Sequence, residues 1–167
     1  MQETIPPELN VDATDLRILD QLQRDASLSN QALAERVHVS PATCLRRVRR
    51  LTEAGVIERT LALLSPEKLG AGLQALLEVT LDRQGAEWLD AFEARVVAED
   101  AVQQCWRVSP GPDFVLVVQV ADMAAYHALA QRLLTQDANV RNVKAFFAVK
   151  RAKFAPAIAL PRLPDGH

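Results

Sequence analysis

An arginine-rich segment at residues 40–51 constrains the fold of this chain more than any other stretch of its sequence. Ser40 is a suitable cap for the free N–H groups of a first helical turn, and Pro41 stands at the first helical position, where its missing N–H costs nothing. Val39 and Cys44 have the spacing of a hydrophobic staple across that start. The segment is therefore predicted to form a helix that begins at Pro41.

A helical wheel, at about 100° per residue, divides this helix into an apolar side and a basic side. The apolar side, which should face a core, holds Cys44, Leu45, Val48, Leu51 and Gly55. The basic side holds Thr43, Arg46, Arg47 and Arg50. Because no acid follows in the sequence before Glu53, we expect these charges not to be neutralised locally. Two interpretations are open for the helix alone: a solvated basic face, or a face that lies on the phosphates of nucleic acid.

Two more helix-start signals precede this segment. Asp12 is predicted to cap a helix that runs to about Arg24, and Ser29 to cap a second helix that ends about three residues before Ser40. Only the tight turn at residues 37–39 then separates the second helix from the arginine-rich one. This order predicts a helix-turn-helix, whose last helix enters the major groove of DNA with its N-terminal residues toward the bases.

The residues after the arginine-rich helix are predicted to form the wing of a winged helix-turn-helix. Gly55 suits the left-handed position that closes a helix, and residues 56–64 have the composition of a strand. Arg59 in this strand can contact a phosphate, although a lone surface arginine is more often only solvated.

The DNA contacts are expected at the start and on the basic side of the arginine-rich helix. Arginine can form paired hydrogen bonds with guanine in the major groove, and Thr43 or Ala42 can contact a thymine methyl group. Arg49 lies toward the flank, where we expect a phosphate contact. The full set of expected contact residues is Ser40, Ala42, Thr43, Arg46, Arg47, Arg49, Arg50 and Arg59.

Composition limits the other functions that the chain could have. Its 167 residues are 49% hydrophobic, which predicts one medium or two small globular domains. No apolar run reaches the roughly 20 residues that cross a bilayer, and the first residues lack the pattern of a secretion signal, so we expect a cytoplasmic protein. The two cysteines, Cys44 and Cys105, and the three histidines, His38, His127 and His167, match no disulfide framework or zinc spacing. We therefore expect no catalytic residues, no metal and no cofactor.

The net charge of −2 is unusual for a protein that binds DNA. Residues 11–64 contain eight arginines and seven acids, and half of those arginines lie in the one helix, so the basic footprint is local. Because the overall positive electrostatic field of the chain is weak, several such helices must be presented together for useful affinity for DNA.

A change of hydrophobic period marks a second domain. Turn-forming residues at 64–72 predict a linker between a winged helix-turn-helix domain at 11–63 and a domain at 73–160, with residues 1–10 as a flexible arm and 161–167 as a tail. Strands are predicted at 73–81, 102–108, 114–120 and 140–149. One helix is predicted with Trp88, Leu89, Phe92 and Val96 on its inner face, and another, capped by Asp122, with Met123, Tyr126, Leu129, Ala130 and Leu133 inward.

The order βαββαβ predicts a ferredoxin-like fold, which makes the whole chain an α+β protein. Residues of the strands, such as Trp106, Leu116, Val118, Phe146 and Phe147, place apolar side chains on both faces of the sheet. Since two helices cover only one face, the other is expected to associate with a second copy, giving at least a homodimer.

These motifs resemble those of the leucine-responsive regulator and asparagine regulator (Lrp/AsnC) family, also called feast/famine regulatory proteins. The resemblance extends from Val11 to Leu160 and is carried by residues 15–19 (DLRIL), 40–51 (SPATCLRRVRRL), 54–57 (AGVI) and 65–70 (SPEKLG), and by the βαββαβ order. It implies a transcription regulator that dimerises through its second domain, often assembles further into octamers, and binds an effector, typically an amino acid, between second domains.

The sequence departs from this family at the implied effector site. The family usually carries a Thr-Gly-x-Tyr-Asp-Tyr-like run at the hairpin between the second and third strands. Here the aligned residues are Ser109, Pro110, Gly111, Pro112, Asp113 and Phe114. A small hydroxyl pair on the last strand is replaced by Ala145 and Phe146. The two prolines remove N–H donors, and the pocket is therefore expected to be less polar than usual.

Three possibilities follow for this site: a pocket altered for a larger or more apolar amino acid, the usual polar recognition through backbone groups, or a surface with no effector. Asp113 could hold the amino group of an effector or could stabilise the turn.

An enzyme and a partner-binding module without DNA contact are the competing classes. Some proteins of this two-domain layout resemble sirohaem decarboxylases, which act on a bound tetrapyrrole. The second half of this chain offers only His127 as an internal histidine, and a surface role is the simpler interpretation.

Overall fold

The computed structural model describes residues 10–70 and 72–161. The predicted N-terminal arm up to residue 9 and the tail from residue 162 lie outside the described residues. The chain divides into two compact units, one comprising the residues up to Leu63 together with those from Phe154 onward, the other Leu64–Lys153. The predicted second domain extended to residue 160, whereas the segment from Phe154 belongs to the first unit. There Gln23 of the first helix donates to the Ile158 carbonyl at 3.1 Å and accepts from its N–H at 3.2 Å.

Three helices form the first unit: α1 (Ala13–Arg24), α2 (Asn30–Arg36) and α3 (Pro41–Glu53). The predicted caps are confirmed, because the side chains of Asp12, Ser29 and Ser40 each accept hydrogen bonds from N–H groups in the following first turn. Buried side chains from all three helices and the turn after α2 form one core, which consists of Ile18, Leu33, Ala34, Val37, Cys44 and Leu51.

The turn between α2 and α3 is tight, as the sequence predicted. His38 has φ +58, a left-handed conformation that is uncommon without glycine, and the Val39 N–H donates to the Ala34 carbonyl at 3.0 Å. This reversal brings the start of α3 against α2, where the Asn30 side chain donates to the Pro41 carbonyl at 2.9 Å.

The predicted wing strand at residues 56–64 is wrong, since no strand occurs there among the described residues. The N–H groups of Val56 and Ile57 both donate to the Leu51 carbonyl, at 2.9 and 3.2 Å, and so complete the end of α3 instead of joining a strand ladder. Gly55 has φ +73, which confirms its predicted role in ending the helix. Beyond it residues 58–65 have no regular secondary structure, and Leu63 is exposed.

The second unit is a four-stranded antiparallel sheet with helices on one face. Its elements are β1 (Leu73–Leu81), α4 (Ala86–Val97), β2 (Val102–Arg107), β3 (Phe114–Val120), α5 (Met123–Ala130), a π-helical turn (Gln131–Thr135) and β4 (Val140–Phe147). The strand order is β2-β3-β1-β4. The predicted ferredoxin-like βαββαβ fold is confirmed, with β2 and β4 slightly shorter than expected.

Alternate residues of β1 and β3 point toward the helices and form the second core. It includes Ala75, Leu77, Val79, Leu81, Phe92, Val96, Phe114, Leu116, Val118, Tyr126, Leu129, Leu133 and Leu134. Met123 was predicted to face inward, but it is the first residue of α5 and is 43% exposed. The π-helical turn adds a residue to the helical period, which lets both Leu133 and Leu134 reach the core.

The opposite face of the sheet carries exposed apolar side chains. Leu76 of β1 pairs with Phe146 of β4 on one side and Val117 of β3 on the other, and Trp106 of β2 pairs with Val115 of β3. Trp106 is 58% and Phe146 52% exposed. We call these five residues the open apolar face.

Candidate DNA-binding and effector sites

The start of α3 is held by hydrogen bonds between its cap and its first turn. The Ser40 hydroxyl oxygen accepts from the Thr43 N–H at 3.2 Å and donates its own proton to the Thr43 hydroxyl oxygen at 2.9 Å. Ser40 and Thr43, two of the residues predicted to approach DNA bases, are therefore hydrogen-bonded to each other, and this orients the N-terminal end of the helix.

Arg47 does not project freely from α3. Its Nη1 lies 2.6 Å from Asp12 Oδ2 and 2.9 Å from Asp15 Oδ1, and its side chain is only 21% exposed. Its buried Nε has no hydrogen-bond partner in the described part of the chain. The guanidinium is thus held at one nitrogen by two carboxylates of the α1 terminus.

Arg50, one helical turn later, joins the same group. Its Nη2 donates to Asp15 Oδ2, and its Nη1 lies 3.5 Å from the Asn10 carbonyl oxygen. We call Asp12, Asp15, Arg47 and Arg50 the α1–α3 clamp. Its formal charges sum to zero, so the clamp presents no net positive charge to a ligand.

Asp15 is the only buried charged residue among those described, with no solvent exposure. A buried carboxylate is costly unless it is paired, and Asp15 accepts from both arginines as well as from the Asp12 N–H at 3.1 Å. The hydrogen bonds that Arg47 donates to Asp12 and then to Asp15 raise the pKa of its guanidinium. Burial alone would raise the pKa of Asp12, but hydrogen bonds from the Asp15 N–H and from Arg47 outweigh it and hold that pKa below 3.8.

The prediction that the arginines of α3 lack a nearby acid is therefore wrong for Arg47 and Arg50. The neutralising acids lie 32 and 35 residues earlier in the sequence, on another helix, where a wheel of α3 alone cannot reveal them. The capping role of Asp12 was predicted, but its bond to Arg47 was not.

Two other arginines of α3 remain available. Arg46 and Arg49 are exposed and make no ion pair or hydrogen bond with any described residue. Ala42 and Leu45 are also exposed, and on a helical wheel they fall beside these arginines. We call Ala42, Leu45, Arg46 and Arg49 the outer strip of α3.

Leu45 was predicted to lie on the buried side of α3, and this is wrong, because it is 41% exposed. It stands at the margin of the apolar arc, and Cys44 and Leu51 supply the buried contacts instead. Sequence reasoning missed Leu45 as an outer-strip residue because its apolar character suggested a core. Arg59, in the irregular segment after α3, is exposed and is not ion-paired within the described ranges.

The hairpin between β2 and β3 contains most of the predicted effector residues. Ser109, Pro110 and Gly111 are exposed, and Pro112 is half-buried. Asp113 serves the fold: its Oδ2 accepts from the Leu81 N–H at 2.7 Å, and its own N–H donates to the Val79 carbonyl at 2.9 Å. The carboxylate of Asp113 therefore bonds to β1, 32 residues earlier in the sequence, and not to the backbone of its own turn.

Phe114 was predicted to contact the effector, but it is a core residue. Its side chain is fully buried, and its ring centre lies 4.9 Å from that of Phe92 on α4. Residues of β3 alternate between the two faces of the sheet, and Phe114 falls on the helix side.

Ala145 and Phe146 are separated by the sheet. Ala145 pairs with Leu77 and lies on the helix side, whereas Phe146 pairs with Leu76 and belongs to the open apolar face. Consecutive strand residues point to opposite faces, so their side chains cannot share a pocket within one chain. An effector site that contains both side chains would therefore need a second copy of the chain to supply one of them.

Ala145 does line a cleft of about 390 Å³ between α5, the π-helical turn and β4. The residues around it are Tyr126, Ala130, Leu134, Thr135, Val140, Arg141, Asn142, Val143 and Ala145. A larger cleft, of about 510 Å³, lies at the opposite end of β1 near Gly72 and Gln74 and contains none of the predicted effector residues.

In the part of the chain that the structure describes, no three His, Cys, Asp or Glu side chains come together as a metal site. None of the helices within residues 10–70 and 72–161 has the length and apolar character to cross a membrane.

Comparisons with known proteins agree with this two-unit architecture. Residues 11–58 match the model of winged helix-turn-helix DNA-binding domains, and residues 74–158 match that of Lrp/AsnC ligand binding domains. A leucine-responsive regulatory protein from Haemophilus influenzae is 38% identical over 143 residues, which cover 86% of each chain. An HTH-type transcriptional regulator from the same organism is 36% identical over 90% of this chain and 89% of its own.

The fold also superposes on solved structures of regulators. One, a transcriptional regulator from Neisseria meningitidis in complex with L-methionine, has a TM-score of 0.81 and 33% identity, covering 89% of this chain and 96% of its own. With both domains matched and relatives aligned over most of their length, this chain belongs to the Lrp/AsnC family of DNA-binding transcriptional regulators.

Proposed function

We propose that this regulator reads DNA with the outer strip of α3, and that the clamp arginines Arg47 and Arg50 support the helix without contacting DNA. The observation that carries this proposal is the pair of cations, Arg46 and Arg49, that have no partner among the described residues and lie on the exposed side of a capped helix that follows a tight turn. Arg46 is positioned by the helical period to reach guanine edges, and Arg49 to meet phosphate.

Ser40, Ala42 and Thr43 lie at the end of α3 that approaches the bases in a helix-turn-helix. Ala42 and Leu45 supply apolar surface for thymine methyl groups, and Arg59 supplies a phosphate contact beyond the helix. This proposed set omits Arg47 and Arg50, which the sequence alone had included.

The test is DNA affinity measured by fluorescence anisotropy, using an operator selected from random duplexes by the wild-type protein. Arg46→Ala combined with Arg49→Ala is expected to weaken operator binding by at least tenfold, since each good base contact contributes about 1–3 kcal/mol of discrimination. Arg24→Ala is a control for charge loss alone and is compared with each of the two single variants, because it removes one exposed arginine of the same unit at the far end of α1. Equal binding by the double variant and the control would contradict the proposal.

We also infer that an amino acid with an apolar side chain is the effector. The complex of the Neisseria meningitidis regulator with L-methionine supports this ligand class. The cleft beside Ala145 supports an apolar ligand, because Tyr126 and Leu134 line it. Arg141, which is mostly exposed and lies 3.9 Å from Asp82, is the cation beside this cleft that a carboxylate would meet. Of the three possibilities for this site, an altered, more apolar pocket is the one we propose.

Calorimetric titration with a panel of amino acids tests the effector and its place. Ala145→Trp would fill the cleft and is expected to abolish binding, whereas Ser109→Trp at the exposed hairpin is expected to leave it unchanged. Loss of binding in Ser109→Trp, with binding kept in Ala145→Trp, would place the effector at the hairpin of Ser109, Pro110, Gly111 and Pro112. If no amino acid binds the wild-type protein, a purely structural surface is favoured.

We propose further that the chain is a cytoplasmic homodimer, joined through the open apolar face and able to form larger assemblies such as octamers. Presenting two or more copies of α3 would compensate for the net charge of −2. We propose no catalytic role. A sirohaem decarboxylase-like activity would require tight, stoichiometric tetrapyrrole binding by the second unit, which an absorbance titration would detect.

A further inference from the structure

The two carboxylate oxygens of Asp12 make different interactions. Oδ1 accepts from the N–H groups of Thr14 and Asp15, at 2.8 and 2.9 Å, and so caps α1. Oδ2 makes no capping bond among the described residues and instead lies 2.6 Å from Arg47 Nη1. The cap and the ion pair can therefore be separated by changing only one of the two oxygens.

Asp15 couples both clamp arginines to the same helix end. Its Oδ1 accepts from Arg47 at 2.9 Å and its Oδ2 accepts from Arg50, residues three positions apart on α3. Residues at this spacing lie on one face of a helix, so two attachments fix its rotation about its own axis. Arg46 and Arg49 lie outside the two attachments, and both side chains are exposed.

We propose that Asp12 and Asp15 are specificity-determining positioning residues: they withhold Arg47 and Arg50 from DNA phosphates and set the rotation of α3 that exposes its outer strip. This inference rests on the proposed DNA contact by α3. Arg47 and Arg50 then release no counterions from DNA phosphates, so the sequence-independent attraction of α3 to DNA stays weak. The contacts of the outer strip with bases keep their geometry.

The inference makes a distinct prediction for the salt dependence of binding. Each phosphate contact steepens the slope of log Kobs against log salt concentration by about 0.9. Asp12→Asn keeps Oδ1 for the cap but places an amide donor in front of Arg47, which weakens the attachment of that guanidinium to α1 and leaves it held by Asp15 alone among the described carboxylates. Asp20→Asn is the control, since it makes the same charge change on α1 at an exposed pair with Arg24.

Anisotropy titrations with operator and random duplexes at several salt concentrations test the inference. Asp12→Asn is expected to steepen the slope on random DNA by about one per protomer, to bind random DNA severalfold more tightly at low salt and to lower the operator-to-random ratio. Asp20→Asn is expected to keep the wild-type slope and ratio. Identical slopes and ratios for the two variants would overturn the inference.

Arg47→Gln keeps the test decisive if Asp12→Asn unfolds. With the clamp weakened, the operator-to-random ratio should fall while the slope stays at the wild-type value, because Arg47 contributes no phosphate contact. A slope that becomes shallower by about 0.9 per protomer would show that Arg47 touches phosphate and would overturn the inference. Failure of the wild-type protein to bind any duplex would instead reject the proposed function.

Discussion

The carboxylate of Asp113 accepts a hydrogen bond from the N–H of Leu81 at 2.7 Å and so joins the β2–β3 hairpin to the last residue of β1. Leu81 is buried, so its N–H cannot turn to solvent when that acceptor is removed. Asp113→Ala is expected to lower the free energy of unfolding of the second unit by about 1–3 kcal/mol.

Urea denaturation of the two variants Asp113→Ala and Asp113→Asn checks this prediction. Asp113→Asn retains a side-chain oxygen as acceptor and should lose less stability. Unchanged stability in Asp113→Ala, accompanied by lost binding of an amino acid, would assign Asp113 to the effector instead.

Leu45→Ala is expected to weaken binding only to duplexes that carry thymine beneath the outer strip. The side chain is 41% exposed, so the change should leave the thermal melting temperature of the protein nearly unaltered. Affinity for operator variants in which each thymine is replaced by uracil, which lacks the methyl group, measures the contact. If the wild-type protein ignores every such replacement, Leu45 has no thymine contact.

Trp106→Glu is expected to dissociate the proposed homodimer, because it places a charge on the open apolar face. Trp88→Glu is the matched control, since Trp88 lies on α4, away from that face, against the guanidinium of Arg83. Sedimentation velocity should give the monomer mass for Trp106→Glu and the wild-type mass for Trp88→Glu. A dimer that persists in Trp106→Glu would place the interface elsewhere.

The clamp is expected to make stability depend on pH through Asp12. Its pKa lies below 3.8 in the folded chain, so the stabilisation is complete above that value and is lost as the pH falls through the lowered pKa. The difference in unfolding free energy between the wild type and Asp12→Asn should therefore be largest near neutral pH and shrink below pH 3.8. Denaturation series across this range measure it, and a constant difference would exclude the ionised pair as its source.

Features determined by neighbouring residues could be predicted from the sequence. The starts of α1, α2 and α3 could be predicted from Asp12, Ser29 and Ser40, because a cap needs only the N–H groups two or three residues away. The bounds of β1 and β3 followed from alternation, since one face of each strand is buried against the helices.

Features that depend on residues far apart in the sequence could not be predicted from it. The clamp joins residues 32 and 35 positions apart, and a periodic pattern in α3 says nothing about charges on α1. The strand expected at residues 56–64 needed a partner strand, and none occurs in the first unit among the described residues. The separation of Ala145 from Phe146 follows from the sheet register and was hidden by their adjacency in the sequence.

The response of Arg46→Ala to single base changes distinguishes base reading by the outer strip of α3 from general attraction to DNA. Affinities of the wild type and Arg46→Ala would be measured on the selected operator and on every single-base-pair variant of it. We expect Arg46→Ala to lose discrimination at one base pair, by about 1–3 kcal/mol, while keeping it at the others. An equal loss of affinity for every duplex, with no change in preference at any position, would contradict base reading by the outer strip.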